Sequence, residues 1–440
     1  MINTFLVILT ALSFLSSGWY LTYLFPLESR IERLGLAFLI GAGMTTFLWF
    51  IGNLLGLPFN LYTLLLIEAG EILIGYYATS KNRMSLKKAH PFKPARSELI
   101  VTLIIIAILL IAFLIGSHNP LMAWDSIALY DFRAHTIAIN HSLKDLTDSS
   151  YYVSYPLMIS LMHSIVYMLG GVSAQGLHAI TLMALTSVIY GRMREWTNHS
   201  LALTACLLVV TQHQIFYHAT FAYTNLPYTA YLVSGLIYAI SARAGKLGFL
   251  PLAGLVLGFS TWMRASETFW VVGILLLLAQ GLILKKKLLS VLAVAILLLI
   301  RFTWSIYLNA VLVSIHYTYE QTFRAFGFHS ILEIIANRQA LYTYIKNNVF
   351  VPYQGIWFLS VPVTLIAIVK KDHKLILLTS AILLSAVMVV VGIMVFSTYY
   401  TTWSEIGDSA RRMVMFVEPL TIIASVYALS LRSRRENHDK

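Results

Sequence analysis

Apolar runs of about 20 residues recur almost from one end of this chain to the other, each long enough as a helix to cross a hydrocarbon core about 30 Å thick. No soluble domain of ordinary size fits between them. The pattern predicts an all-α polytopic membrane protein. The first run, residues 3–24, lacks a basic leading segment and a small-x-small cleavage site, so it reads as a retained helix and not as a signal peptide.

Basic clusters punctuate the apolar runs: Arg30/Arg33, the stretch Lys81 to Arg96, Arg192/Arg194, Arg243/Lys246, Lys285 to Lys287, Lys370/Lys371/Lys374 and Arg432 to Arg435. Lys and Arg favour the cytoplasmic side, so placing all of them there requires an even number of crossings between each pair. Three apolar segments, 99–116, 155–170 and 174–191, separate Arg96 from Arg192, and one of them therefore does not span. The exception is 155–170, which is short, opens on Tyr155-Pro156 and breaks at Gly170-Gly171. It is expected to lie in, or dip into, the outer face. The result is about 13 transmembrane helices with juxtamembrane helices in the first large external loop, an external N-terminus and a cytoplasmic C-terminus. Residues 1–98 form three N-terminal helices, 99–431 a transmembrane core and 432–440 a basic cytoplasmic tail.

Composition sharpens this. Hydrophobic residues make up 58% of the 440 residues, charged residues 11%, and mean hydropathy is +0.76, against about 25% charged residues in a soluble domain. The net charge of +12 sits in short inter-helix loops, where it reports orientation; nucleic acid is excluded as a partner. The one cysteine, Cys206, lies inside an apolar run, so no intrachain disulfide forms.

With the clusters inside, the polar residues outside them gather on external segments. NPLMAWDSIALYDFR, ending at Arg133, follows the apolar run that closes at Ser117 and carries Asp125 and Asp131 close to the bilayer surface. Two readings of Asp125 stand: a first-turn acid stabilised by the helix dipole, or a functional carboxylate. At 100° per residue it projects within about 20° of Phe132 and Thr136, an apolar neighbourhood that favours the second. In STWMRASETFW, Arg264 and Glu267 either pair with each other at i, i+3 for a few tenths of a kcal/mol, or Arg264 holds a phosphate through its donor fork while Glu267 orients it. In GDSARRMVMFVEP, Arg411 and Arg412 break the positive-inside pattern; interfacial snorkelling accounts for one of them, an anion accounts for both, and Ser409 adds a hydroxyl donor. Arg301, inside an apolar helix, lines a cavity or pairs with Glu68 or Glu71. His135 stands four residues from Asp131 and pairs with it, whereas His163, His213 and His218 lack metal-ligand spacing. Tyr317 to Tyr319 and Tyr399-Tyr400 fit an aromatic interface belt better than a sugar platform. Walker, GxGxxG, GxSxG and CxxC motifs are missing.

Taken in order, WDSIALYDFRAHTI, YPLMISLMHSIVYMLGG, FAYTNLPYTAYL, WMRASE and SARRMVMFVEP resemble the GT-C class of polyprenyl-phosphate-sugar glycosyltransferases, which includes protein O-mannosyltransferases and the aminoarabinose lipid A transferase. The likeness covers about residues 99–431. It implies a transferase at the external face of the cell membrane that moves a sugar from a polyprenyl-phosphate donor to a lipid, glycan or protein acceptor with inversion. Asp125 would be the base and Arg264, Arg411 and Arg412 the donor phosphate ligands. Trp124, Asp131, Arg133, Tyr155, Pro156, Asn225, Glu267 and Ser409 would support them. Asn225 stands where many relatives carry an acid, and neither WWDxG nor a DxD pair is present, so the sequence supports no divalent metal or other cofactor. A polysaccharide polymerase or ligase, or a lipid or solute transporter, are the competing classes; only the enzymes need an external general base.

Overall fold

The computed structural model describes residues 2–81, 95–143, 146, 155–264, 268–311, 332, 336, 338–397 and 409–436. Every long apolar run in these stretches is a helix, and all regular structure among the described residues is helical. In chain order the helices are α1 (Ile2–Leu21), α2 (Arg30–Leu54), α3 (Leu61–Lys81), α4 (Arg96–His118), α5 (Phe132–Asn140), α6 (Met158–Met168), α7 (Gly176–Trp196), α8 (His199–Val210) and α9 (His213–Ala219). Then follow α10 (Asn225–Ser241), α11 (Phe249–Met263), α12 (Trp270–Ile283), α13 (Lys287–Val311), α14 (Arg338–Ile345), α15 (Gln354–Lys370), α16 (His373–Ser397), α17 (Ser409–Val414) and α18 (Glu418–Glu436). Local chemistry sets several starts. The Ser29 side chain accepts from the Glu32 amide at the head of α2, and Asn198 accepts from the Leu201 amide at the head of α8.

Seven spans among the described residues are long and apolar enough to cross a membrane: α1, α2, α3, α4, α13, α16 and the continuous Ser409–Leu431 stretch of α17 and α18. The number rises to nine if the bent pairs α8 with α9 and α14–α15 each count once; α8 and α9 meet at 70°. α6 has 11 residues, about 16 Å at 1.5 Å per residue, roughly half a hydrocarbon core. Among the described residues it is the shortest of the three apolar helices that fall below a full span, beside α11 and α12.

The interior is built on α10, every residue of which is buried, packed against α11 and α7. α2 lies against α1 and α7, and α13 against α11. α3 and α4 instead turn leucines and isoleucines outward, among them Leu65, Leu66, Leu73, Leu103, Ile104 and Leu110, as helices facing lipid do. Backbones approach closely where side chains are small. A Cβ on Gly41 would sit 1.7 Å from the Phe14 carbonyl oxygen, and one on Gly18 2.0 Å from that of Ala37. Buried acids of α3 point inward: Glu68 accepts from Ser13 and Glu71 accepts from Thr45 at 2.7 Å. Arg301 donates to Ser305 one turn along its own helix and lies 5.7 Å from the Trp270 ring, while Glu68 and Glu71 bond Ser13 and Thr45.

Polar contacts divide between two ends of the bundle. At one end Glu32 pairs with Arg192 at 2.6 Å, Glu195 binds Arg192, Arg243 and Lys246 at 2.9, 3.1 and 2.7 Å, and Lys246 reaches Glu28 at 2.9 Å. Arg33 donates to Thr22 and to the Leu27 carbonyl nearby, and the Lys374 ammonium lies over Trp196. Arg33, Arg192, Arg243, Lys246 and Lys374, from four basic clusters far apart in sequence, thus share one end. At the other, Asn3 bonds the Val172 and Ser173 backbone, and Phe59 exchanges bonds with His141. These bonds tie the N-terminal helices to the segments that carry the first acidic loop.

The α1/α2 contact should tolerate no side chain at Gly41. Gly41→Val is expected to destabilise the protein by about 1–3 kcal/mol or more, read as a lowered thermal unfolding midpoint in detergent. Gly70→Ala, where a Cβ meets nothing within 4 Å, should leave the midpoint unchanged or slightly raised.

Candidate functional site

Asp125 is placed by an irregularity in the backbone. A π-helical turn, Ser126–Asp131, follows it directly and leads into α5. A turn wound this way changes the angular step per residue, so the face expected for Asp125 from a uniform 100° step does not carry through to Phe132 and Thr136. Nor does its side chain cap the turn. It accepts instead from Arg412 Nη1 at 3.3 Å, across 287 residues of sequence.

Arg412 comes from α17, whose position is fixed by tyrosines. Tyr353 Oη donates to the Arg411 carbonyl at 2.7 Å, and the Ala410 amide donates to Tyr344 Oη at 3.4 Å. Neighbouring helical residues diverge by about 100°, so only one of the two arginines turns toward Asp125. Arg411 is exposed, Arg412 half-buried with its guanidinium 5.8 Å from the Tyr223 ring, and Ser409 half-buried at the start of the helix.

Beside Tyr223 lies the second cation. Arg264, just past the end of α11, donates from Nη1 to Thr224 Oγ1 at 3.0 Å and to Asn225 Oδ1 at 2.7 Å. Its guanidinium stands 5.6 Å from the Tyr155 ring. Tyr130 closes the wall: its hydroxyl is 2.9 Å from Thr224 Oγ1, its ring packs edge-on to Tyr155, and it lies within electrostatic reach of both Arg264 and Asp125. Burial raises the Tyr130 phenol above its ordinary range, and Arg264 opposes this. The phenol therefore stays neutral at physiological pH.

Tyr155 is held from behind. Arg133, fully buried, donates from Nη1 to the Tyr155 carbonyl at 2.6 Å and from Nε to the Leu129 carbonyl at 3.0 Å. Burial lowers its guanidinium to about 10, which leaves it charged at neutral pH. Pro156, buried, follows at the entry to α6, and a proline biases the residue before it away from helical backbone.

Asp131 faces a different group. It accepts from Tyr167, lies 3.5 Å from His135 Nε2 and 4.0 Å from His163 Nδ1, and His163 Nε2 is 3.2 Å from His178 Nε2. Burial raises the Asp131 carboxyl above the usual carboxylate range, against the lowering by the Tyr167 hydroxyl and His135. The expected His135 pair is present, but Asp131 belongs to a tyrosine and histidine cluster and not to the arginine recess. Trp124 is largely exposed, and Glu267 lies outside the described residues.

Asp125, Tyr155, Asn225, Arg264 and Arg412, singled out in the sequence, thus converge. Sequence reading passes over Thr224, Tyr130 and Tyr223, although Tyr223 and Thr224 stand beside Asn225 in FAYTNLPYTAYL and Tyr130 lies in WDSIALYDFRAHTI; a threonine and tyrosines in an apolar segment give no signal of their own. Two guanidinium groups, one carboxylate, hydroxyls and an amide are donors and acceptors suited to an anion with an adjacent proton acceptor. Among the described residues no three His, Cys, Asp or Glu side chains come together as a metal site. No family model matches this chain, and neither a curated protein nor a solved structure matches it significantly.

The half-exposed Asp125–Arg412 pair should add little to folding, whereas Arg133 should add much. Asp125→Asn is expected to cost under about 1 kcal/mol, and Arg133→Leu about 1–3 kcal/mol through the stranded Tyr155 carbonyl, both measured by thermal unfolding of the purified protein.

Proposed function

We propose that this protein is an integral-membrane glycosyltransferase that moves a sugar from a polyprenyl-phosphate donor to a lipid, glycan or protein acceptor at the external face of the cell membrane. The observation that carries the reading is the convergence of Asp125 with Arg264 and Arg412 from three distant segments into one recess walled by Tyr130, Tyr155 and Tyr223. The ordered motifs that resemble the GT-C class supply those same residues.

In this reading about 13 helices span: α1, α2, α3, α4, α7, α8 with α9, α10, α11, α12, α13, α15, α16 and α18. The end with Glu28, Glu32 and Glu195 then faces the cytoplasm and the arginine recess faces outward. Of the shorter helices, α10 and α11 cross within the bundle, and α12 turns Leu275, Leu282 and Ile283 outward toward lipid.

The chemistry follows from the charges. The donor's phosphate takes the guanidinium forks of Arg264 and Arg412, which draws Arg412 from Asp125 and frees the carboxylate. Asp125 takes the proton of the acceptor hydroxyl as that oxygen bonds to the anomeric carbon from the face opposite the phosphate. The bond from carbon to phosphate oxygen breaks with its electron pair on the leaving polyprenyl phosphate, and the configuration inverts. Arg264 and Arg412 bind the charge that develops there. Tyr155 and Tyr223 place ring faces beside the cations, and Thr224 and Asn225 hold Arg264 in register between turnovers.

Assayed with a panel of radiolabelled polyprenyl-phosphate sugars, Asp125→Asn should lower transfer about 10²–10⁴-fold, the contribution of general-base catalysis. Arg264→Ala should raise the donor KM, and Arg264→Lys should restore it only in part because it lacks the fork. Near-normal transfer in Asp125→Asn would overturn the assignment.

A further inference from the structure

At the end of the bundle away from the arginine recess, α4, α7 and α8 enclose a groove of about 600 Å³, within the range of about 300–1,000 Å³ typical of small-ligand sites. Leu99, Ile106, Leu110, Met183 and Leu203 line its length. Along α4, Leu99 to Leu110 covers 11 residue steps, about 16 Å, close to half of the hydrocarbon thickness of about 30 Å. The groove is one leaflet deep.

Its mouth is polar and basic. Tyr190 and His199 line it and bond to each other at 2.8 Å, and Arg194 bonds the Tyr190 hydroxyl. Ile31 and Leu99 in the wall follow Arg30 and Arg96, and Arg30, Arg96 and Arg194 are all exposed. Glu98 lies 4.0 Å from His199 and accepts from the Ser200 hydroxyl at 2.5 Å and the Ala95 amide at 2.9 Å, so at the mouth three arginines outnumber one carboxylate. Arg192 is already neutralised by Glu32 and Glu195, so the arginines of the mouth are the ones that face outward.

An apolar slot one leaflet deep under a basic rim fits an acyl chain carrying an anionic headgroup. We infer that this groove is a binding site for an anionic phospholipid of the adjacent leaflet. The chain lies between α4 and α8, and the phosphate meets Arg96, Arg194 and the Tyr190–His199 pair. The site lies at the opposite end from the arginine recess and does not depend on the transfer reaction.

Thermal unfolding of the full-length protein in mild detergent tests this, with phosphatidylglycerol, phosphatidylcholine or polyprenyl phosphate added in turn. Phosphatidylglycerol should raise the midpoint in a saturable manner and phosphatidylcholine should not. Arg96→Gln combined with Arg194→Gln should raise the half-saturating phosphatidylglycerol concentration about tenfold, the equivalent of about 1.4 kcal/mol. Met183→Trp, which fills the slot, should abolish the shift; should that variant not fold, the surface double variant decides. Equal shifts with both phospholipids, or a phosphatidylglycerol response unaltered in the double variant, would overturn the site. So would displacement of phosphatidylglycerol by polyprenyl phosphate, which would assign the groove to the donor.

Discussion

Two guanidinium groups at the end of an apolar bundle must each be held by something, and the way each is held organises the rest of this molecule. Arg264 rests on the hydroxyl of Thr224 and the amide oxygen of Asn225, both neutral, and Arg412 on the carboxylate of Asp125. Those three supports come from the head of α10 and from the loop after α4. The π turn aims Asp125, Arg133 fixes Tyr155 against Arg264, and Tyr344 and Tyr353 anchor the short helix that presents Arg412. Apolar packing brings the helices together, but the register of their ends is set by these few polar bonds.

The two ends of the bundle solve the charge problem differently. At the basic end Glu28, Glu32 and Glu195 share Arg192, Arg243 and Lys246 at salt-bridge distance, Arg33 is held by a hydroxyl and a carbonyl, and Arg30, Arg96 and Arg194 are exposed. In the recess Asp125 pairs with Arg412 alone, and Arg264 is bonded to the neutral Thr224 and Asn225. A half-exposed pair such as Asp125–Arg412 contributes about 0–1 kcal/mol at most, too little for folding to explain its placement. The excess positive charge and the weak pair together describe a place where an anion can enter and exchange partners.

Much of this was legible in the sequence, because a membrane span needs about 20 apolar residues and a cluster of lysines and arginines sorts to one side. The helical class, the short length of α6 and the gathering of Arg33, Arg192, Arg243, Lys246 and Lys374 at one end follow from those two rules. The 13 expected helices exceed the seven to nine that are plainly long and apolar, since α10, α11 and α12 have 17, 15 and 14 residues and α7, which carries Arg192 and Arg194, is not among the long apolar spans. What sequence could not convey was phase. The π turn redirects Asp125, one helical step separates the exposed Arg411 from Arg412, and the partners of Arg264 are an ordinary threonine and an asparagine 39 residues away. Each depends on angles and long-range pairing that a linear pattern does not carry.

The central claim is that the recess between Asp125, Arg264 and Arg412 receives the phosphate of a lipid-linked donor. Photo-crosslinking with a polyprenyl phosphate that bears its reactive group beside the phosphate tests it most directly, with labelled peptides mapped by mass spectrometry. The account predicts labelling in 124–130, 155–156, 223–225 and 409–412, competed by unmodified polyprenyl phosphate. Labelling confined to the α4, α7 and α8 groove, or labelling that polyprenyl phosphate fails to compete, would contradict it.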